Sequence, residues 1–402
     1  MDSRQSSLLS RGMLAVVVAQ FLSAMADNAL LFGALALLRS DHYPAWTEPL
    51  LQEFFVAAFI ILAPFAGPFA DGLPKGRVML ISNGLKLAGA LGMWAGLNPF
   101  LTYGLVGVGA AAYSPAKYGI LSELVSTDLL VKANGLLESS TIAAILIGAV
   151  AGGMLADWSV GGTLGAVTAC YGAAAAANLL IPRLPPARAL SSVSIGTVLR
   201  NFGVAVSSMV KTQDTRFSMI GTSLFWGTGG TMRFLLVAWV PVALGMTDIS
   251  TPAYLNGTLA VGIVVGAGLA SKFIKLERAD RALPAGVLIG VLVCILAVTT
   301  NTATAYVESV LVGVCGGFFV VPLNALLQER GRETVGSGNA IAVQNLVENM
   351  AMLLMIGSYT VAVRAGAPVV TTAGVFGVAL AGAIGILWWH RVRTRGAHPV
   401  GA

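Results

Sequence analysis

Asp27 and Arg233 carry opposite charges, and each stands in the middle of a long apolar run. A charge at the centre of a bilayer costs at least about 2.5–3.5 kcal/mol, so residues of this kind are rare and by default functional. The chemistry open to them is ionic recognition. A carboxylate holds an ammonium group, and a guanidinium holds a phosphate or carboxylate through charge-assisted hydrogen bonds. The competing reading is a permanent helix-to-helix ion pair.

Other polar positions inside apolar runs extend this set. Asn28 adjoins Asp27 but lies about 100° around a helix from it, so the two need not line one cavity. Lys86 has Asn83 one turn before it and requires a carboxylate, a carbonyl or water; Glu138 is a candidate partner. Lys117, in Tyr113-Ser114-Pro115-Ala116-Lys117-Tyr118, either reaches toward a cavity or snorkels to the interface as an anchor. Gln344 and Glu348, and likewise Asn345 and Asn349, are four apart, which makes one polar helix face. Lipid cannot solvate that face, so it must meet protein or a wet cavity. Asn256 and Asn324 are isolated and read as packing glue.

Other chemistries are excluded. Gly-rich stretches such as Trp226-Gly227-Thr228-Gly229-Gly230 lack the Lys-Ser/Thr ending of a phosphate-binding loop. His42, His390 and His398 fall at loops or ends, so no metal centre, no acid–base centre and no cofactor are expected, and the chain is not expected to be an enzyme. Cys170, Cys294 and Cys315 lie within apolar runs and should be free thiols.

The elements that hold these residues follow from composition. The 402 residues are 56% hydrophobic and only 10% charged, with a mean hydropathy of +0.82. A water-soluble domain carries roughly 25% charged residues, so the solvent here is lipid, and the spanning elements must be helices. The first apolar run is too long for a signal peptide and has no small-residue cleavage site behind it.

Twelve spans are expected: 13–38, 50–70, 78–97, 99–121, 134–156, 161–181, 216–245, 252–274, 283–300, 303–328, 338–363 and 366–390. The long connection opens with Pro182, Pro185 and Pro186. Its stretch from Val193 to Val210 reads as an amphipathic helix on the membrane surface. With both termini cytoplasmic, twenty Lys and Arg fall on that side, and only Arg39 and Arg364 fall opposite. This follows the positive-inside rule and excludes a nucleic-acid patch.

The halves repeat. Val106 to Glu123 aligns with Val312 to Glu329, and the same offset places Asp27 on Arg233. Two six-helix halves joined by a long loop resemble the major facilitator superfamily, whose substrate sites lie near mid-membrane. The expected organisation is a helical half over 1–182, a linker with an amphipathic helix over 183–215, and a second half over 216–402. Under that symmetry Asp27 and Arg233 would face each other across a central cavity. The segment from Gly67 through Asp71, Lys75 and Gly76 to Arg77 resembles the superfamily's cytoplasmic gating signature, with an Asp-to-Gly spacing two residues too long. Its counterpart, Gly266 to Lys272, lacks the Asp.

Longer segments carry a more specific resemblance. These are Val18 to Phe32, Val106 to Ile120, Gly221 to Gly227, Arg233 to Leu236, Gly316 to Arg330 and Gly338 to Asn345. Together they resemble the bacterial lysophospholipid transporter family over nearly the whole chain. The resemblance implies an inner-membrane flippase that moves lysophosphatidylethanolamine and related lysolipids from the outer to the inner leaflet by alternating access. A cytoplasmic acyltransferase/acyl-carrier-protein synthetase (Aas) would then reacylate them. It implies a substrate-pathway role for Asp27, Asn28 and Arg233, and less directly for Lys117. Lys86, Glu138, Gln344, Asn345 and Glu348 join the candidate substrate site from their own positions. A monomer is expected. The alternative function is an ion-coupled exporter of amphiphilic drugs, with Asp27 as proton carrier.

Overall fold

The computed structural model describes residues 10–125, 127–182, 184–185 and 194–396. Among them the chain forms α1 (Arg11–Ser40), α2 (Thr47–Gly72), α3 (Lys75–Trp94), α4 (Pro99–Leu124), α5 (Thr127–Trp158), α6 (Val160–Leu179) and α7 (Ile195–Lys211). It continues with α8 (Gln213–Ala243), α9 (Ser250–Phe273), a 3-10 helix (Leu276–Ala282), α10 (Leu283–Val298), α11 (Thr302–Val335), α12 (Ser337–Arg364) and α13 (Val369–Gly396). Nine helices among the described residues are long and apolar enough to cross a membrane. The other long helices are α3, α4 and α8, which carry Lys86, Lys117 and Arg233.

Local chemistry sets the helix starts. The Ser10 hydroxyl accepts from the Met13 amide at 3.2 Å and opens α1. Asn98 accepts from the Phe100 and Leu101 amides ahead of Pro99 and opens α4. Asn301 does the same for Thr304 at the start of α11. Each side chain satisfies amides that a helix start leaves without a partner.

Several boundaries move outward from the sequence reading. The apolar run of α11 ends near 328, yet the helix continues to Val335. The added turns are polar and carry the ion pairs Arg332–Glu329 and Arg330–Glu333, both at 2.9 Å. Gly336, at φ +82°, stops the helix in a conformation that side-chain-bearing residues rarely adopt. α2 and α3 likewise extend toward each other until only Leu73 and Pro74 separate them, so the Gly67–Arg77 signature is two helix ends rather than a loop.

The chain divides into two compact units, Met1–Phe202 and Gly203–Ala402. In the first, α1 packs on α5 and α6, α2 on α4, and α3 on α4 and α6. In the second, α8 packs on α12 and α13, α9 on α11, and α10 on α11 and α13. The pairing repeats element for element, as the internal sequence repeat requires. Close backbone approach depends on small residues. A Cβ on Gly109 of α4 would lie 2.6 Å from the Ser82 carbonyl oxygen and 2.8 Å from Lys86 Cγ on α3. The boundary between the units falls inside α7, whose Ala205 and Met209 are buried while Ile195, Leu199 and Val210 remain exposed. Cys170, Cys294 and Cys315 are free thiols. Arg4, Arg183 and Arg188, used to orient the chain, lie outside the described residues.

Candidate functional site

In the first unit, α1, α3, α4 and α6 bring their polar residues to one place. Ser23 and Asp27 are one turn apart on α1, as are Asn83 and Lys86 on α3, so each helix presents a short polar stripe. Lys86 Nζ lies 2.7 Å from Asp27 Oδ2 and donates to Ser23 Oγ at 3.0 Å. Ser23 Oγ in turn donates to Asn83 Oδ1 at 2.8 Å. Tyr171 of α6 donates its hydroxyl to Asp27 Oδ1 at 2.7 Å. The rings of Tyr113 and Tyr171 lie 5.4 and 5.9 Å from the Lys86 ammonium, within cation–π range.

Burial is uneven across this cluster. The Lys86 side chain is 3% exposed and that of Asp27 23%. The carboxylate is therefore the reachable member of the pair, with the lysine behind it. Tyr113 Oη and Asn83 Nδ2 are buried donors without a hydrogen-bond partner among the described residues.

The pairing gives Lys86 the carboxylate that its burial requires. Its partner is Asp27, while the side chain of Glu138, the candidate named from sequence, lies outside the described residues. Asp27 sits within reach of α3 on the inner side of α1, and the two opposite charges neutralise each other there. Asn28 does not join them. Its amide donates to the Ala24 carbonyl on its own helix at 2.9 Å, as expected from its angular offset. Lys117 is buried, with its ammonium 4.2 Å from the centre of the Tyr118 ring. Arg233 is half-buried on α8 of the second unit.

The second unit gathers a different set. Gln344 Nε2 donates to Asn324 Oδ1 at 2.7 Å and to Glu348 Oε1 at 2.8 Å. Asn324 thus joins α11 to α12 as packing glue, and does so as a member of this cluster rather than in isolation. Asn349 donates to the Asn345 carbonyl within α12. Asn256 likewise bonds its own helix, donating to the Pro252 carbonyl.

At the helix ends of the gating segment, Lys75 is buried between Asp71 at 3.3 Å and Glu123 at 3.2 Å. Gly76 packs against Ile181, Gly67 lies inside α2, and Arg77 is exposed. In the second unit the signs are inverted. Asp214 of α8 lies between Arg391 at 2.6 Å and Arg330 at 3.5 Å.

The residues that sequence reasoning missed are Ser23, Tyr113 and Tyr171. Ser23 stands one turn before Asp27, and the only signal for Tyr171 is a polar tip within an apolar run. Among the described residues there is no cluster of metal-ligating side chains.

Comparison with known proteins places these features. The chain matches the Major Facilitator Superfamily model over residues 16–356. It is 59% identical over 395 residues to the lysophospholipid transporter LplT of Cronobacter sakazakii, covering 97% of this chain and 98% of that one. It is also 59% identical over 387 residues to LplT of Escherichia coli O7:K1, covering 96% and 98% of the two chains. In structure it is similar to a POT family transporter solved in complex with 5-aminolevulinic acid, with a TM-score of 0.76, 12% identity, and coverage of 96% and 97%. It is similar also to the nucleoside transporter NupG, with a TM-score of 0.72, 13% identity, and coverage of 94% and 97%. These two likenesses carry the fold alone. An all-helical, membrane-spanning chain with an internal repeat, matched along nearly its whole length by transporters of one kind, belongs to the major facilitator superfamily and, within it, to the LplT lysophospholipid transporter family.

Proposed function

We propose that this chain carries lysophospholipids across the bacterial inner membrane, from the outer to the inner leaflet, by alternating access. Lysophosphatidylethanolamine is the preferred cargo in this reading. The observation that supports it most is the Asp27–Lys86 pair, a carboxylate and an ammonium 2.7 Å apart inside a helical unit built for lipid. A phosphoethanolamine head carries the same two charges. Asp27 would receive its ammonium and Lys86 and Lys117 its phosphate, through charge-assisted hydrogen bonds, and Arg233 of the second unit is a further substrate-pathway charge in this reading. The single acyl tail needs only an apolar wall, and the exposed Leu14, Val18, Ile61 and Ile147 are of the kind that supplies one.

This reading takes α3, α4 and α8 as spans as well, to give twelve, with both termini in the cytoplasm. α7 lies at the cytoplasmic surface, its exposed Ile195, Leu199 and Val210 in the headgroup layer. The lysolipid delivered to the inner leaflet becomes substrate for a cytoplasmic acyltransferase/acyl-carrier-protein synthetase, Aas. The chain works as a monomer.

Purified protein in liposomes tests the reading. Labelled lysophosphatidylethanolamine placed outside should reach the inner leaflet with wild-type protein. Asp27→Ala and Arg233→Ala should each slow it by about 10-fold or more, the loss of one charge-assisted contact. Wild-type flux in both variants would remove these charges from the mechanism.

A further inference from the structure

We infer that Asp27, Ser23, Tyr113 and Tyr171 form a built ammonium cage, and that the protein's own Lys86 occupies it. The groups around Lys86 Nζ are those that recognise an alkylammonium ion. A carboxylate lies at 2.7 Å, a hydroxyl at 3.0 Å, and two aromatic rings at 5.4 and 5.9 Å. An ammonium needs one counter-charge, one or two neutral acceptors, and aromatic faces toward which its remaining surface turns. The cage walls are held independently of Lys86. Tyr171 donates to the other Asp27 oxygen, and Ser23 donates to Asn83.

The site has a second, independent feature. Tyr113 Oη and Asn83 Nδ2 are buried donors without a partner among the described residues. Next to an ammonium site, two such donors suit the oxygens of a phosphate. The cage and these donors together take a headgroup in which an ammonium and a phosphate lie a few bonds apart. The reachable edge of the pair belongs to Asp27, 23% exposed, and not to Lys86, 3% exposed. An incoming ammonium therefore meets the carboxylate first. As it takes over Asp27, the Lys86 ammonium passes to the phosphate. Two ion pairs replace one pair and one zwitterion, and no buried charge is left alone at any stage, which is the condition for such an exchange in a low-dielectric site.

This deepens the proposed function and relies on it only for the identity of the natural ligand, because cage binding is measured without lipid. The experiment is thermal unfolding of the purified full chain in ethylammonium chloride against sodium chloride at equal ionic strength. Lys86→Ala empties the cage and should gain an ethylammonium-specific rise of about 2 °C or more at saturating salt. Lys86→Met, which fills the space with a neutral chain, should show no such rise. The double variant Lys86→Ala with Asp27→Asn should lose it. If Lys86→Ala does not fold alone, ethylammonium but not sodium should restore its yield. Equal behaviour in the two salts, or a rise that persists in the double variant, would overturn the cage. Lysolipid flux in the wild type would stand or fall separately.

Discussion

The two units use the same helix pairing but treat buried polarity in opposite ways. In the first, a lysine and an aspartate neutralise each other at 2.7 Å, with a serine, an asparagine and two tyrosines around them. In the second, the Glu348 carboxyl accepts from the Gln344 amide, and no ion pair reaches it among the described residues. The inversion recurs at the helix ends. A lysine lies between two acids in the first unit, and an aspartate between two arginines in the second. The repeat therefore fixes which helices pack together but not the charge that they enclose. One unit offers an ion pair that a zwitterion can exchange with. The other offers a polar lining that needs no counter-ion.

The largest effect that separates the two clusters should come from Asp27→Asn. It leaves Lys86 buried without its counter-charge, a change that costs about 3–5 kcal/mol in stability. Unfolding in detergent should register it, and adding Lys86→Met should recover most of the loss. An additive double variant would mean that the two charges do not interact, and would erase the contrast between the units.

Next in size is Gly109→Val. The added atoms would strike the Ser82 carbonyl and the Lys86 side chain, and overpacking of this kind costs about 1–3 kcal/mol. Because α3 carries Lys86, lysolipid flux should fall together with stability. A stable variant with full flux would show that the α3–α4 approach does not position the pair.

A smaller effect is expected outside the spans. Asp248 accepts from the Thr251 amide at 2.6 Å and from the Ser250 hydroxyl at 2.9 Å at the start of α9. Partial burial works to raise its pKa, but these hydrogen bonds outweigh that and hold the carboxyl below the usual range. The stabilisation is present above the unfolded-state pKa and is lost as pH falls through the lower folded value. Asp248→Ala should cost about 1 kcal/mol at neutral pH, and the difference from wild type should shrink under strong acid.

The smallest effect should be Glu348→Gln. The amide oxygen still accepts from Gln344, so stability should change by less than about 1 kcal/mol. A loss as large as that of Asp27→Asn would mean that Glu348 is ionised against a cation, and the two units would then be alike.

Sequence exposed the parts of this picture governed by desolvation. Asp27, Lys86 and the 344–349 face were conspicuous because each polar group sits where lipid cannot solvate it. The long apolar helices were legible for the same reason. Partners were not, because they depend on tertiary packing. Lys86 finds Asp27 across 59 residues, and Tyr171 finds it across 144. Periodicity gives no signal for such pairings. The end of α11 was also hidden, because its last turns are held by Arg–Glu pairs rather than by apolar character.

The central claim, that the Asp27–Lys86 pair handles the charged head of the cargo, is tested most directly by comparing two labelled lysolipids in liposomes. One carries a zwitterionic phosphoethanolamine head and the other an anionic phosphoglycerol head. With Asp27→Asn, flux of the zwitterion should fall by about 10-fold or more relative to wild type, while the anionic lysolipid, which has no ammonium to place, should fall less. Equal loss for both heads, or no loss for either, would contradict the account.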